Sequence, residues 1–191
     1  MPCPPLTMNS VLNKLSGGNR GSIGRSNEVV AEVLAHPTLF PELFAGFSSD
    51  DPVIRMRAAD AVEKITVQRP QLLRPFKRKF LAIAGSSDQQ EFRWHAALIL
   101  PRLALSRKER AVALDILFDY LRDKSSIVKT FAMQAIWDLA AENPKLKAQI
   151  IPLIEELTLV GTAAMRARGR KLLRQPPPGR GLRTALSSRT K

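Results

Sequence analysis

The chain of 191 residues holds one cysteine, Cys3, and two histidines, His36 and His95. A single cysteine excludes a disulfide framework and a cysteine-based zinc site. Neither histidine has a histidine or cysteine four residues further on, the spacing that would place two ligands on one helix face. We therefore expect no metal and no other cofactor.

Long apolar runs are also missing. No stretch of about 18 apolar residues occurs, so the sequence predicts no membrane-spanning helix. The first residues lack an apolar segment behind a basic one, which argues against a secretory signal. We expect a cytoplasmic protein.

Acidic residues are absent from both ends of the chain. The net charge is +13, yet residues 1–26 and 166–191 contain no Asp or Glu and hold three and nine of the basic residues. The segment between them, 27–165, carries 18 basic and 17 acidic residues. The net positive charge therefore comes almost entirely from the two ends of the chain. Only these ends indicate an anionic partner.

Internal repeats organise the middle of the chain. Four segments align without gaps at spacings of 38, 36 and 37 residues, starting at Ile54, Phe92, Val128 and Met165. Their apolar residues recur with the period of one helix face. The fifth residue of each segment is small and predicts the close approach of a neighbouring helix; these residues are Ala58, Ala96, Ala132 and Gly169.

Each of these segments follows another amphipathic stretch, with turn residues between the two. The unit is a helix–turn–helix of about 37 residues, which cannot bury its apolar face without a neighbour. We place the four repeats at 37–69, 70–105, 106–142 and 143–174.

The start of the second helix in a repeat carries a recognisable pattern. Asp50 and Asp51 precede an apolar residue followed by Arg-x-x-Ala over residues 54–58. With the period of residues 37–174, this pattern resembles the HEAT repeat family. The resemblance implies an all-α fold, a right-handed α-solenoid of about four helix pairs. Most HEAT proteins bind other proteins, although the fold alone does not fix a function.

The segments outside the repeats have different compositions. Residues 26–36 predict a capping helix for the first repeat, with Ser26 as its N-cap. Residues 1–25 and 175–191 are rich in Pro, Gly, Ser and basic residues and are expected to be disordered. The three glycines Gly18, Gly21 and Gly24 follow no predicted strand, so a nucleotide-binding loop is not expected there.

The outward face of the second helices is the predicted partner-binding surface. On a wheel of 100° per residue, the positions led by Met56 point away from the core. By resemblance to HEAT repeats, this face lines the concave side of the solenoid. Its large or adaptable side chains are Met56, Trp94, Leu98, Gln134 and Trp137. Tryptophan is enriched in binding hot spots, and the alternative is that both tryptophans fold onto neighbouring helices.

A basic column recurs in the repeats at Arg55, Arg93, Lys129 and Arg166. One interpretation is a ladder of cations for an acidic ligand. The other is structural, in which these groups pair with turn carboxylates or with carbonyls at helix ends. The resemblance to HEAT repeats favours the structural role.

Two basic clusters are candidate anion-binding sites. The first holds Arg74, Lys77, Arg78 and Lys79 in a first helix, and the second includes Lys171 and Arg174 near the basic end of the chain. Either is a solvated face or a contact for phosphates. A nucleic-acid-binding protein is thus the first alternative function.

Catalytic constellations are scarce. Ser126 and Lys129 match a serine–lysine spacing, but its companion motifs are missing and the repeat already accounts for Lys129. HEAT-like alkylpurine DNA glycosylases place an Asp and aromatic residues in the groove, so Trp94, Trp137 and Asp138 keep such an enzyme as a second alternative. We predict a non-catalytic scaffold that binds a protein partner through its concave face.

Overall fold

Helices form all the regular secondary structure of residues 10–174, the part of the chain that the computed structural model describes. The predicted all-α class is confirmed for this part, and the predicted disorder of 1–9 and 175–191 lies outside it. The α-helices are α1 (Val11–Leu15), α2 (Ser26–Ala35), α3 (Phe40–Ala45), α4 (Pro52–Gln68), α5 (Lys77–Ser86), α6 (Gln90–Ile99), α7 (Arg107–Tyr120), α8 (Ser126–Leu139), α9 (Pro144–Val160) and α10 (Ala163–Leu173). Short 3₁₀ helices cover Pro37–Leu39, Gly46–Ser48, Pro70–Phe76 and Leu100–Arg102.

Side-chain caps fix where several of the helices begin. The cap oxygen accepts a hydrogen bond from a free backbone N–H of the first turn, which would otherwise lack a partner. Pro follows the cap in α4 and α9, a position where its missing N–H costs nothing. The capping residues are Asp51 for α4, Ser125 for α8, Asn143 for α9 and Thr162 for α10.

The chain divides into two compact units between Ile116 and Leu117, inside α7. In the first unit, α4 packs against α2 on one side and α6 on the other. Its core is aromatic: the rings of Phe44 and Phe76 stack at 4.6 Å, and those of Phe47 and Phe92 meet edge to face at 5.1 Å. Such pairs add about 0.5–1.5 kcal/mol each beyond the burial of their area.

Residues 10–25 are organised around one buried side chain of α4, Arg57. Its guanidinium donates hydrogen bonds of 2.7–3.3 Å to five backbone carbonyl oxygens, those of Leu15, Ser16, Gly17, Asn19 and Ser22. Gly18 and Gly24 have positive φ angles of 75° and 52° and lie against this guanidinium. Glycine adopts such angles without steric cost.

The structure therefore differs from the disorder predicted for residues 10–25. Val11 and Leu15 of α1 are buried, at 1% and 0% exposed. The loop that follows is held by a donor 35–42 residues away in the sequence, so its own composition gave no sign of order. A buried arginine needs acceptors for its donors, and the loop supplies them.

Ser26 also differs from its predicted role. The N-cap position of α2 is Arg25, and Ser26 is the first helical residue. Its buried hydroxyl donates to the carboxylate of Asp60 on α4, which also accepts a hydrogen bond from Lys64 at 2.7 Å. The serine thus joins α2 to α4 instead of closing the end of its own helix.

The second unit is built on α8, α9 and α10, which pack on one another. A Cβ added at Gly169 of α10 would lie 1.8 Å from Thr158 Oγ1 and 2.8 Å from Met133 Cε. The absence of a side chain at Gly169 therefore lets α10 approach both α9 and α8. This is the close approach that the column of small residues predicts.

Among residues 10–174, no helix is long and apolar enough to cross a membrane.

Candidate partner-binding face

Two large apolar side chains remain partly exposed on the outward side of α6. Trp94 and Leu98 lie one turn apart, whereas Phe92, Ala96 and Ile99 on the opposite side are each 1% exposed. We call Trp94 and Leu98 the α6 patch. Both belong to the face that the repeats predict for a partner, and the structure leaves both accessible.

Met56 does not contribute to an exposed surface. It is 3% exposed, although its place in the repeat equals that of Trp94. Both α1 and α2 pack against α4, and α1 lies in the segment 1–25 for which the sequence predicts disorder. Met56 is therefore a core residue, which corrects its place in the predicted binding surface.

Trp137 is buried as well, at 5% exposed. The ammonium of Lys147 on α9 lies 3.0 Å from the centroid of the indole ring and donates to the Trp137 carbonyl oxygen at 3.4 Å. Burial lowers the pKa of Lys147 to about 8, a shift that the nearby Asp138 carboxylate opposes. The alternative stated for Trp137, that it folds onto a neighbouring helix, is what the structure shows.

Gln134 is partly exposed but already engaged. Its amide nitrogen donates to Asp138 at 2.8 Å, and its oxygen accepts from Arg168 of α10 at 2.9 Å. Burial raises the pKa of Asp138, while the hydrogen bond from Gln134 and the charges of Lys147 and Arg168 oppose the rise. This chain of polar groups joins α8 to α10. Of the residues that kept a glycosylase as an alternative, Trp137 is buried, whereas Trp94 is partly exposed and Asp138 is exposed.

Several polar and charged residues of α4 and of the α6 region lie near the α6 patch. His95 follows Trp94, and their ring centroids are 5.6 Å apart. Burial lowers the pKa of His95, although the carboxylates of Asp60 and Glu63 oppose this effect. Arg102, just beyond α6, pairs with Glu63 of α4 at 2.6 Å.

The arginines of the basic column bind carbonyl oxygens at the C-terminal ends of the first helices of their helix pairs. Arg55 donates to Ser49 O at 2.7 Å, Arg93 to Ser87 O at 2.7 Å, and Arg166 to Gly161 O at 2.9 Å. Each acceptor is the C-cap residue of the preceding helix, where carbonyls lack intrahelical partners. Lys129 holds the same repeat position on α8. The contacts of the three arginines fit the structural interpretation of the column.

The first basic cluster partly lines a cleft of about 280 Å³. Arg74 is exposed there, while Lys77 pairs with Glu109 at 2.8 Å and donates to Ala104 O. The third cation of the cleft is Arg102, which lies outside this cluster in the sequence and is therefore not among the predicted anion-binding residues. Arg78 and Lys79 are exposed on α5 outside this lining.

The charge available in this cleft is small. Two of its three cations, Lys77 and Arg102, are neutralised by Glu109 and Glu63. Arg74 remains as the cation without an acidic partner in the described part of the chain. An anion would therefore meet roughly one uncompensated charge, which is weak attraction at an exposed site.

Over residues 10–174, no group of three His, Cys, Asp or Glu side chains is placed to hold a metal ion. Comparison with protein-family models, with curated proteins and with solved structures gives no match to this chain.

Proposed function

We propose that the protein is a non-catalytic, HEAT-like helical-repeat protein that binds an apolar segment of a partner protein on the α6 patch. The observation that carries this proposal is the partial exposure of Trp94 and Leu98 on adjacent turns of a helix whose other apolar residues are buried. Tryptophan is among the residues most enriched in binding hot spots, and Leu98 extends the apolar surface beside Trp94.

The surroundings support a rigid binding surface. Within the first unit α4 packs against α6, as the second helices of two successive repeats would, and α2 packs against α4, as expected of the predicted capping helix. The Arg102–Glu63 ion pair joins the end of α6 to α4 close to the patch in the sequence, and His95 beside Trp94 is buried. Little conformational entropy is then lost when a partner docks, which favours affinity. The right-handed α-solenoid remains part of the proposal.

The test compares two double variants of the full chain in affinity capture from cell extract, with quantitative mass spectrometry. Trp94→Ala with Leu98→Ala removes the patch. Val67→Ala with Val112→Ala removes two other apolar side chains, 63% and 47% exposed, and serves as the matched control. Circular dichroism first establishes that both variants are folded.

We expect proteins captured by the wild type and by the control to be lost from the patch variant. Equal capture by all three chains would overturn the proposal. A direct titration of the captured partner should then show an affinity loss of at least about tenfold for the patch variant, since hot-spot truncations cost 2 kcal/mol or more.

A further inference from the structure

A row of exposed cations runs along one side of α10. Its members are Arg166, Arg170, Lys171 and Arg174, which we call the α10 stripe. The opposite side of the helix buries Met165, Gly169 and Leu172. At 100° per residue the two sets fall on opposite halves of the helix, and Ala163 and Ala167 lie between the cations.

The helix that carries the stripe is firmly positioned. Thr162 caps its N-terminus by accepting a hydrogen bond from Met165 N, and Gly169 brings it against Thr158 and Met133. Arg168, in contrast, leaves the stripe and donates to Gln134 of α8. Arg168 thus serves packing, Arg166 is exposed but also binds the Gly161 carbonyl, and Arg170, Lys171 and Arg174 are exposed to solvent.

The stripe carries charge that the described fold does not neutralise. No acidic residue follows Glu156 in the sequence. Within residues 10–174, Arg170, Lys171 and Arg174 form no ion pair, and Arg166 donates only to a backbone carbonyl. Lys77 and Arg102 of the first unit are, by contrast, each paired with a glutamate.

The spacing of these cations fits a phosphate backbone. Arg166 and Arg174 are eight residues apart, about 12 Å along a helix axis. A nucleic-acid strand carries one phosphate per roughly 3.4 Å of duplex axis, so about three to four phosphates span the same length. Three of the four cations are guanidinium groups, which bind phosphate with two parallel hydrogen bonds.

The composition of the stripe favours a nucleic-acid backbone over a lipid surface as the anionic partner. An interfacial helix that binds lipid needs large apolar residues on its buried face, whereas the stripe offers only alanines between its cations. Those alanines let a phosphate backbone come close. No aromatic residue occurs in 143–174, so the helix has none on which to stack unpaired bases.

We propose that the α10 stripe binds the phosphate backbone of a nucleic-acid duplex without reading its base sequence. This surface lies in the second unit and is separate from the α6 patch. A chain with both surfaces would bring a protein partner to nucleic acid.

The test measures binding of a labelled 20-base-pair DNA duplex by fluorescence anisotropy between 50 and 200 mM salt. It compares the full-length wild type with two variants that each lose three positive charges. The stripe variant is Arg170→Gln, Lys171→Gln and Arg174→Gln, and the matched control is Arg180→Gln, Arg183→Gln and Arg189→Gln. Arg166 is kept because it also binds the carbonyl of Gly161.

Loss of three phosphate contacts should reduce the slope of log affinity against log salt by about 2.7. The wild type should then lose about 40-fold more affinity than the stripe variant between 50 and 200 mM salt. We expect the control to keep most of the wild-type slope, and a duplex of scrambled sequence to bind equally well.

Several results would overturn the proposal. These are no binding of the duplex by the wild type at 50 mM salt, equal losses in both variants, or a larger loss in the control. Tighter binding to poly-glutamate would assign the stripe to an acidic protein. Tighter binding to phosphatidylserine vesicles would assign it to a membrane surface.

Discussion

The ammonium nitrogen of Lys147 lies 3.0 Å from the centroid of the Trp137 indole ring. A cation over an aromatic face is attracted by its quadrupole. Burial penalises the charged form of Lys147 and lowers its pKa to about 8, against the opposing effect of the Asp138 carboxylate. The second unit therefore contains a charge that it would fold better without.

Stability should consequently rise with pH in a defined window. Between pH 8 and the ordinary lysine value of 10.5, the unfolded chain retains a proton on Lys147 that the folded chain has lost. Lys147→Met should abolish this rise and stabilise the protein at pH 7 by about 1–2 kcal/mol, allowing for solvent screening. Urea unfolding at pH 7 and 9.5 measures both effects. The exposed Lys145→Met is the control, and a rise preserved in Lys147→Met would contradict the prediction.

Gly24 should tolerate no side chain. Its φ is +52°, and an added Cβ would lie 2.7 Å from Arg57 Cζ. Gly17 also has a positive φ, +76°, but its added Cβ meets nothing within 4 Å. Gly17→Ala should therefore cost about 1–2 kcal/mol of backbone strain, and Gly24→Ala clearly more. Chemical denaturation gives both values, and equal costs would mean that the guanidinium moves aside freely.

Two helical glycines should respond to alanine with opposite signs. Gly85 in α5 has room, since its added Cβ would make ordinary contacts of 3.6 and 3.8 Å with Ile116. Gly85→Ala should stabilise the protein by about 0.5–1 kcal/mol through helix propensity. Gly169→Ala should destabilise it by about 1–3 kcal/mol, because Thr158 Oγ1 occupies the site. Thermal unfolding measures the change in stability for both variants. A change of the same sign in both would contradict the close contact between Gly169 and Thr158.

The carboxyl group of Glu109 should have a pKa well below the ordinary glutamate value of 4.5. A hydrogen bond from Lys77, followed by those from the backbone and side chain of Ser106, lowers its pKa to about 2. Its contribution to stability is thus complete above pH 4.5 and lost as the pH falls through about 2. Carboxyl NMR titration reads this pKa directly. In Lys77→Gln the midpoint should move up towards 4.5, and an unchanged midpoint would remove Lys77 as the main cause.

The helix pairs could be predicted because their signal is local and repeated. The period of apolar residues gives α4, α6, α8 and α10, and the small residue at Gly169 predicts a contact that the structure contains. The carbonyls that Arg55, Arg93 and Arg166 bind are five or six residues away, within the same helical hairpin. Such features depend on neighbours in the sequence, so they can be predicted without knowledge of the tertiary fold.

Exposure could not be predicted in the same way. Met56 and Trp94 hold equivalent repeat positions, yet only Met56 is buried, and Met56 lies on α4, against which α1, α2 and α6 all pack. Trp137 is covered by Lys147, a charged residue that a hydropathy pattern places in solvent. The order of residues 10–25 likewise depends on Arg57, a distant residue whose need for acceptors is invisible until the fold brings it there.

Arg57 holds its loop entirely through main-chain oxygens, and this has an evolutionary consequence. Every residue type carries the same backbone carbonyl. Most side chains from 16 to 22 can therefore change in evolution without loss of the hydrogen bonds that hold the loop. Selection should act on the arginine and on Gly18 and Gly24, whose missing side chains make room for it. In orthologues we expect these three residues to persist, together with Gly17 and the buried Val11 and Leu15, while the other residues of the loop diverge.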